Sequence, residues 1–133
     1  MVKKFILLFM SVLLLSGCSM QSDDNKKLED IEFTVLSEDE IPEELMGQIE
    51  EKKQEEFKLT YSDNSNLYIA RGYGKQESSG YSISVDDLYL TENAVFIHTS
   101  LIGPAASEQV ENSESFPYVV VKLELTDKNV VFE

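Results

Sequence analysis

This chain has one cysteine, one histidine and few bases, and each shortage removes a class of function. With Cys18 alone there is no partner for an intramolecular disulfide, so the fold must rest on packing. With His98 alone there is no His/Cys set of the kind that holds zinc. A Ser–His–Asp triad would have to use that same histidine, and no strand–turn–helix with G-x-S-x-G surrounds Ser78 or Ser79. Lys and Arg number 11 against 25 Asp and Glu, a formal net charge of −14. That balance disfavours nucleic acid as a partner, because phosphate binding needs clustered cations. Internal repeats are absent. The longest apolar run, from Phe5 to Leu15, falls short of the roughly 20 residues a spanning helix requires.

What that run does have is context. Lys3 and Lys4 precede it, and Leu15-Ser16-Gly17-Cys18 closes it. A basic start, a short apolar core and small residues at a cleavage point are the pattern of a secretory signal. The four residues ending at Cys18 are similar to the lipobox of bacterial lipoproteins. That resemblance implies cleavage before Cys18 and a thioether to diacylglycerol on its sulfur. Residues 1–17 are then the signal peptide, and Cys18 is the lipidation site and the link to the membrane. Without Lys3 and Lys4, 9 bases face 25 acids, a net of −16 on the remaining 116 residues. Such a surface is repelled by anionic headgroups, so the lipid and not the protein holds the membrane. The expected location is the extracytoplasmic face of a bacterial cell membrane or envelope.

From Ser19 to about Asp30 the composition is polar and charged, and residues 18–30 read as lipidated cysteine and flexible tether. Residues 31–133 are enough for a single domain. Ile31, Phe33 and Val35 alternate with Glu32, Thr34 and Leu36, predicting a short half-buried strand. Ser37-Glu38-Asp39-Glu40-Ile41-Pro42 suits the start of a helix, with carboxylates at the positive end of the dipole. Ile41, Leu45 and Ile49, with Met46 beside them, form one apolar stripe, and the helix is expected to run about four turns to near Glu55.

From Phe57 onward the period changes to two. Strands are predicted around Phe57–Tyr61, Leu67–Ala70, Tyr81–Val85, Val95–Leu101, Val119–Leu125 and Asn129–Phe132. Gly72 to Gly80 and Gly103 to Ser115 read as loops. The expected fold is α+β, an antiparallel sheet or sandwich-like domain with one amphipathic helix on one face.

Candidate chemistry is sparse. The acids are scattered over polar faces, and no catalytic residue, metal site or cofactor is predicted. His98 lies on the strand face opposite Val95, Ile97 and Leu101, where a partly exposed packing role is expected. Asp63, Asn64 and Asn66 offer oxygen ligands, but the D-x-D-x-D-G pattern and distal glutamate of a calcium loop are missing, so a hairpin turn is expected.

Leu67-Tyr68-Ile69-Ala70, Gly72, Ser79-Gly80-Tyr81-Ser82-Ile83, Gly103-Pro104 and Pro117-Tyr118-Val119-Val120-Val121 together resemble the PrcB C-terminal domain family. The resemblance runs from about Phe57 to the C-terminus. Ser78-Ser79 stands where the family has Thr-Gly, so backbone geometry that needed that glycine is not implied here. The family takes its name from a lipoprotein subunit of a bacterial surface protease complex. The resemblance therefore implies a non-catalytic, membrane-anchored interaction module, an accessory subunit of an extracytoplasmic protease complex. Arg71, Tyr73, Lys75, Gly80 and Tyr81 are the candidate partner-binding residues, since Arg and Tyr are common hot-spot types and loops on rigid strands carry recognition. The alternative is a lipoprotein that binds a ligand or an envelope component in a pocket between helix and sheet.

Overall fold

Alternation along the chain becomes eight strands and one α-helix among residues 27–133, which are those the computed structural model describes. The expected signal peptide, Cys18 and most of the expected tether lie outside the described residues. In chain order the elements are β1 (Glu29–Asp30), β2 (Thr34–Val35), α1 (Glu43–Lys52), β3 (Glu56–Ser62), β4 (Asn66–Tyr73), β5 (Ser82–Leu90), β6 (Ala94–Ile102), β7 (Tyr118–Glu124) and β8 (Asn129–Phe132). One sheet has the order β1-β5-β6-β8 and the other β2-β7-β4-β3. Every pairing is antiparallel except β6 with β8, which is parallel. The sandwich-like expectation holds, with a mixed first sheet in place of a wholly antiparallel one.

Two apolar clusters explain the layering. Leu67, Ile69, Val119, Val121 and Leu123 of the second sheet meet Leu88, Val95 and Ile97 of the first. On the other face of the second sheet, Tyr68, Ala70 and Val120 meet Phe57 and the helical side's Ile41, Leu45 and Ile49. β4 and β7 are therefore covered on both faces, which is why Leu67-Tyr68-Ile69-Ala70 and Val119-Val120-Val121 are continuous apolar runs and not alternating ones. Leu45 and Ile49 are wholly buried, and each is worth about 1.5–3 kcal/mol of transfer free energy.

The helix is shorter than its stripe suggests. Ser37 and Glu40 close a capping box around a separate 3-10 turn, Glu38–Glu40. Ile41 and Pro42 are then extended, at ψ 132° and 139°: Ile41 because a residue before proline is steered away from helical backbone, and Pro42 as the N-cap of the helix that follows. The α-helix begins only at Glu43, with Pro42 as its N-cap, and stops at Lys52.

Two further boundaries move. The tether cannot reach Asp30, because Glu29 and Asp30 pair with Leu90 and Tyr89, and the Leu28 N–H donates to the Leu90 carbonyl at 2.8 Å. Phe33 and Val35 are exposed, while Leu36 packs toward the helix. The expected alternation fails there because the chain changes sheets between Asp30 and Thr34, so side-chain parity is not carried across. Leu125 is also exposed, since β7 ends at Glu124 and the chain crosses to the other sheet through residues 126–128.

Candidate interaction surface and the family match

β4, β5, β6 and β7 all reach the end of the sandwich where Tyr73, Ser82, Ile102 and Tyr118 lie. Two connections between the sheets meet there, residues 74–81 and 103–117, and they are tied to one another. Gln76 and Ser115 exchange both backbone hydrogen bonds, at 2.8 and 3.0 Å. The Ser79 N–H donates to the Glu111 carbonyl at 3.1 Å, and the Glu111 N–H donates to Ser79 Oγ at 2.9 Å. Ser115 Oγ donates to the Ser78 carbonyl at 2.7 Å. Ser78 and Ser79 thus hold the second loop.

Gly80 has φ +91°, a conformation open to glycine and strained for other residues. A Cβ there would also lie 2.6–2.9 Å from Glu108, Val110 and Pro104, so Gly80 lets the second loop close over the first. Tyr81 is half-buried beside Gly103, and β5 starts one residue later at Ser82. Lys75 is exposed and pairs with Glu114 at 3.5 Å. The rim around it carries Glu77, Glu108 and Glu111. Of the five predicted contact residues, Lys75, Gly80 and Tyr81 belong to this double loop.

Arg71 and Tyr73 do not. Both are in β4, on the face toward the other sheet, because Gly72 continues the strand opposite Phe57 and Tyr118. The sequence reads as a loop from Gly72 because of its glycines, but Gly72 serves packing: a Cβ would drive into the Phe57 ring. The Tyr73 hydroxyl shares a 2.6 Å hydrogen bond with Oγ1 of buried Thr99, across the two sheets. The Arg71 side chain is only 13% exposed, with its guanidinium carbon 4.1 Å from the Tyr73 ring centroid and Nη2 3.3 Å from Glu56. Nη1 donates to the Gly72 carbonyl. Tyr73 ties the two sheets together near the double loop and Arg71 packs against it within its own sheet, so both lie on strand β4 and not in the loop that was expected to carry them.

His98 faces outward as its strand position implies, and it has a partner that periodicity does not reveal. A β-bulge leaves Asp86 as the extra residue between Val85 and Asp87, opposite Thr99 and His98. Asp86 accepts hydrogen bonds from Ser100 Oγ and from Ser84 Oγ, the latter at 2.6 Å, and lies 3.1 Å from His98 Nδ1. The two hydroxyls hold its carboxyl below the usual carboxylate range, with His98 adding to the effect. Both serines give their protons to the carboxylate, not to the imidazole, so neither is an activated nucleophile.

Asp63 behaves as a turn residue. Its Oδ1 accepts the N–H groups of Ser65 and Asn66 at 2.9 and 2.8 Å, and Oδ2 accepts the Tyr68 hydroxyl at 2.9 Å. The backbone bonds lower its pKa, and burial followed by the Asp63 contact raises that of Tyr68. Both oxygens are occupied by the hairpin.

The space between helix and sheet, where the alternative reading would place a pocket, is packed with Leu45 and Ile49. A polar cleft of about 1,060 Å³ lies instead at the opposite end of the sandwich, lined among others by Asp30, Glu32, Phe33, Lys122, Glu124 and Lys128. Lys27 and β1 enter the fold at that end. No helix among the described residues is long and apolar enough to cross a membrane.

With β4 through β7 and the double loop in view, the comparison with known families is direct. Residues 67–124 match the PrcB C-terminal family model. No curated protein and no solved structure gives a significant match. The PrcB C-terminal match begins at β4 and ends at β7, so it takes in the four central strands and both tied loops. β3, α1 and β8 lie outside it.

Proposed function

We propose that the protein is a non-catalytic, lipid-anchored interaction module on the extracytoplasmic face of a bacterial membrane, an accessory subunit of a protease complex. The observation that carries this reading is the PrcB C-terminal match over residues 67–124, which spans the tied double loop and the strands that hold it. The path of the chain supports the orientation. Lys27 enters at the end of the sandwich opposite the double loop, and the residues between Cys18 and Lys27 span about 30 Å at ~3.4 Å each when extended. An anchor at Cys18 would therefore attach at the end of the sandwich away from the double loop and leave that loop free to meet a partner. The chemistry of His98, with its neighbouring serines bonded to Asp86, supports a structural rather than a catalytic role.

Affinity capture after crosslinking on intact cells tests this reading. The expected adduct is an extracytoplasmic protease or a subunit of one, recovered with the wild type from the membrane fraction. Recovery of a small ligand or envelope polymer bound at the cleft near Lys122 and Lys128, with no protein adduct, would favour the alternative.

A further inference from the structure

Lys58 and Arg71 face each other directly across β3 and β4, so two cations share one face of the sheet at a spacing of about 5 Å between their Cβ atoms. Like charges in that register are destabilising, and this chain has few cations to spend. Glu56 reaches Arg71 at 3.3 Å. None of the ion pairs among the described residues includes Lys58, whose ammonium stands 5.9 Å from the Phe132 ring centroid. An open depression of about 220 Å³ is lined by both cations together with Glu56 and Phe57. β3 is the outer strand of its sheet for all seven of its residues, with no neighbour on the far side among the described residues. A lysine alone would suffice to guard such an edge from stray pairing. Arg71, held by Glu56 and the Gly72 carbonyl, adds a second positive charge behind it that edge protection does not require.

We propose that the outer edge of β3 accepts an extended segment of the partner as an added strand, with an acidic side chain seated in the depression against Lys58 and Arg71. This deepens the docking reading and rests on it. Strand addition supplies backbone hydrogen bonds along Glu56–Ser62, and the pattern of side chains sets the choice of segment. The residue opposite Lys58 lies on the cationic face and must be Glu or Asp. Its two neighbours lie on the face of Phe57, Leu59 and Tyr61, where half-buried apolar surface favours Val, Ile or Leu. The recognised motif is thus apolar–acidic–apolar in extended form.

The test uses the full chain, titrated with the peptide acetyl-Thr-Val-Glu-Val-Thr-amide and followed by backbone and arginine side-chain NMR. The expected result is shifts concentrated on Glu56–Ser62 and on the Arg71 guanidinium, with affinity lowered at least ~10-fold when the peptide's Glu is Gln. That factor corresponds to about 1.4 kcal/mol, in the range of a charge-assisted hydrogen bond. Lys58→Gln, at an exposed position that puts folding at no risk, should weaken the Glu peptide and leave the Gln peptide unchanged. Equal binding of the two peptides, shifts centred elsewhere, or no binding overturns the proposal. If crosslinking on cells still yields a protease-complex adduct with Lys58→Gln at wild-type level, the docking reading stands and the β3 site falls.

Discussion

Gly72→Ala adds one methyl group at the place where the structure has least room for it. The new Cβ would sit inside the Phe57 ring, with even the third-nearest ring atom at 2.7 Å. Phe57 is buried and cannot swing away, because Leu45, Ile49 and Ala70 share its cluster and the Tyr118 ring lies 6.5 Å from it. Overpacking of this kind costs about 1–3 kcal/mol. Phe57→Leu alone removes three buried ring carbons and should cost about 2 kcal/mol, on the scale of ~0.8 kcal/mol per methylene. The double variant should be less destabilised than the sum of the two, with a favourable coupling of at least about 1 kcal/mol, since leucine vacates the space the methyl needs. Urea unfolding of the four proteins, with m-values compared for two-state behaviour, measures the cycle. A Gly72→Ala cost below about 0.5 kcal/mol, the range of surface changes, would refute the packing account. So would strict additivity.

Leu45→Ala and Ile49→Ala should each cost about 2–5 kcal/mol in the same assay, and a value under ~0.5 kcal/mol would mean that the helix is not docked as described. Arg71→Ala with Tyr73→Ala should lower thermal stability by several degrees, because it removes the Thr99 hydrogen bond and the stacked guanidinium; unchanged stability would return these residues to the surface role the sequence suggested. Asp63 has a depressed pKa in the fold, so its contribution is present above the unfolded carboxylate value near 4 and is lost as pH falls through the lower folded value. The advantage of wild type over Asp63→Asn should therefore shrink in thermal melts taken from pH 5 down to pH 2, and an advantage that grows on acidification would contradict the turn geometry. Cys18→Ala should abolish fatty-acid labelling and release the protein from the membrane fraction, and labelling that persists would remove the anchor from the account.

Where one side of a strand faces the core, the sequence was a good guide. Val95, Ile97 and Thr99 alternate cleanly, and β6 is where the period of two puts it. Leu45 and Ile49 likewise mark the buried side of α1, while Ile41, the first of the expected stripe, is buried just ahead of the helix. Legibility failed where local pattern and tertiary context part. The bulge at Asp86 shifts inward residues from Ile83 and Val85 to Leu88 and Leu90, so the His98–Asp86 contact depends on an extra residue that periodicity hides. The parallel placement of β8 depends on a crossing between sheets through residues 126–128, about which composition is silent. Arg71 and Tyr73 looked like loop residues because Gly72 and Gly74 flank Tyr73. Only Gly74, at φ +78°, makes the turn, and Gly72 makes room for a ring. The double loop was visible as two separate loops, but the bonds of Ser78, Ser79 and Ser115 that join them link residues more than 30 positions apart.

The central claim is that the double loop is the face presented to a protein partner while the opposite end lies toward the membrane. Site-specific photocrosslinking on intact cells tests it most directly, with the photoreactive side chain placed in turn at Glu77 and Glu111 on the loops and at Glu32 and Glu124 around the far cleft. All four positions are exposed, so the fold tolerates the label at each. The account predicts one discrete protein adduct, a component of an extracytoplasmic protease complex, from Glu77 and Glu111 and none from Glu32 and Glu124. Adducts confined to the cleft positions, or no protein adduct at any of the four, would contradict it.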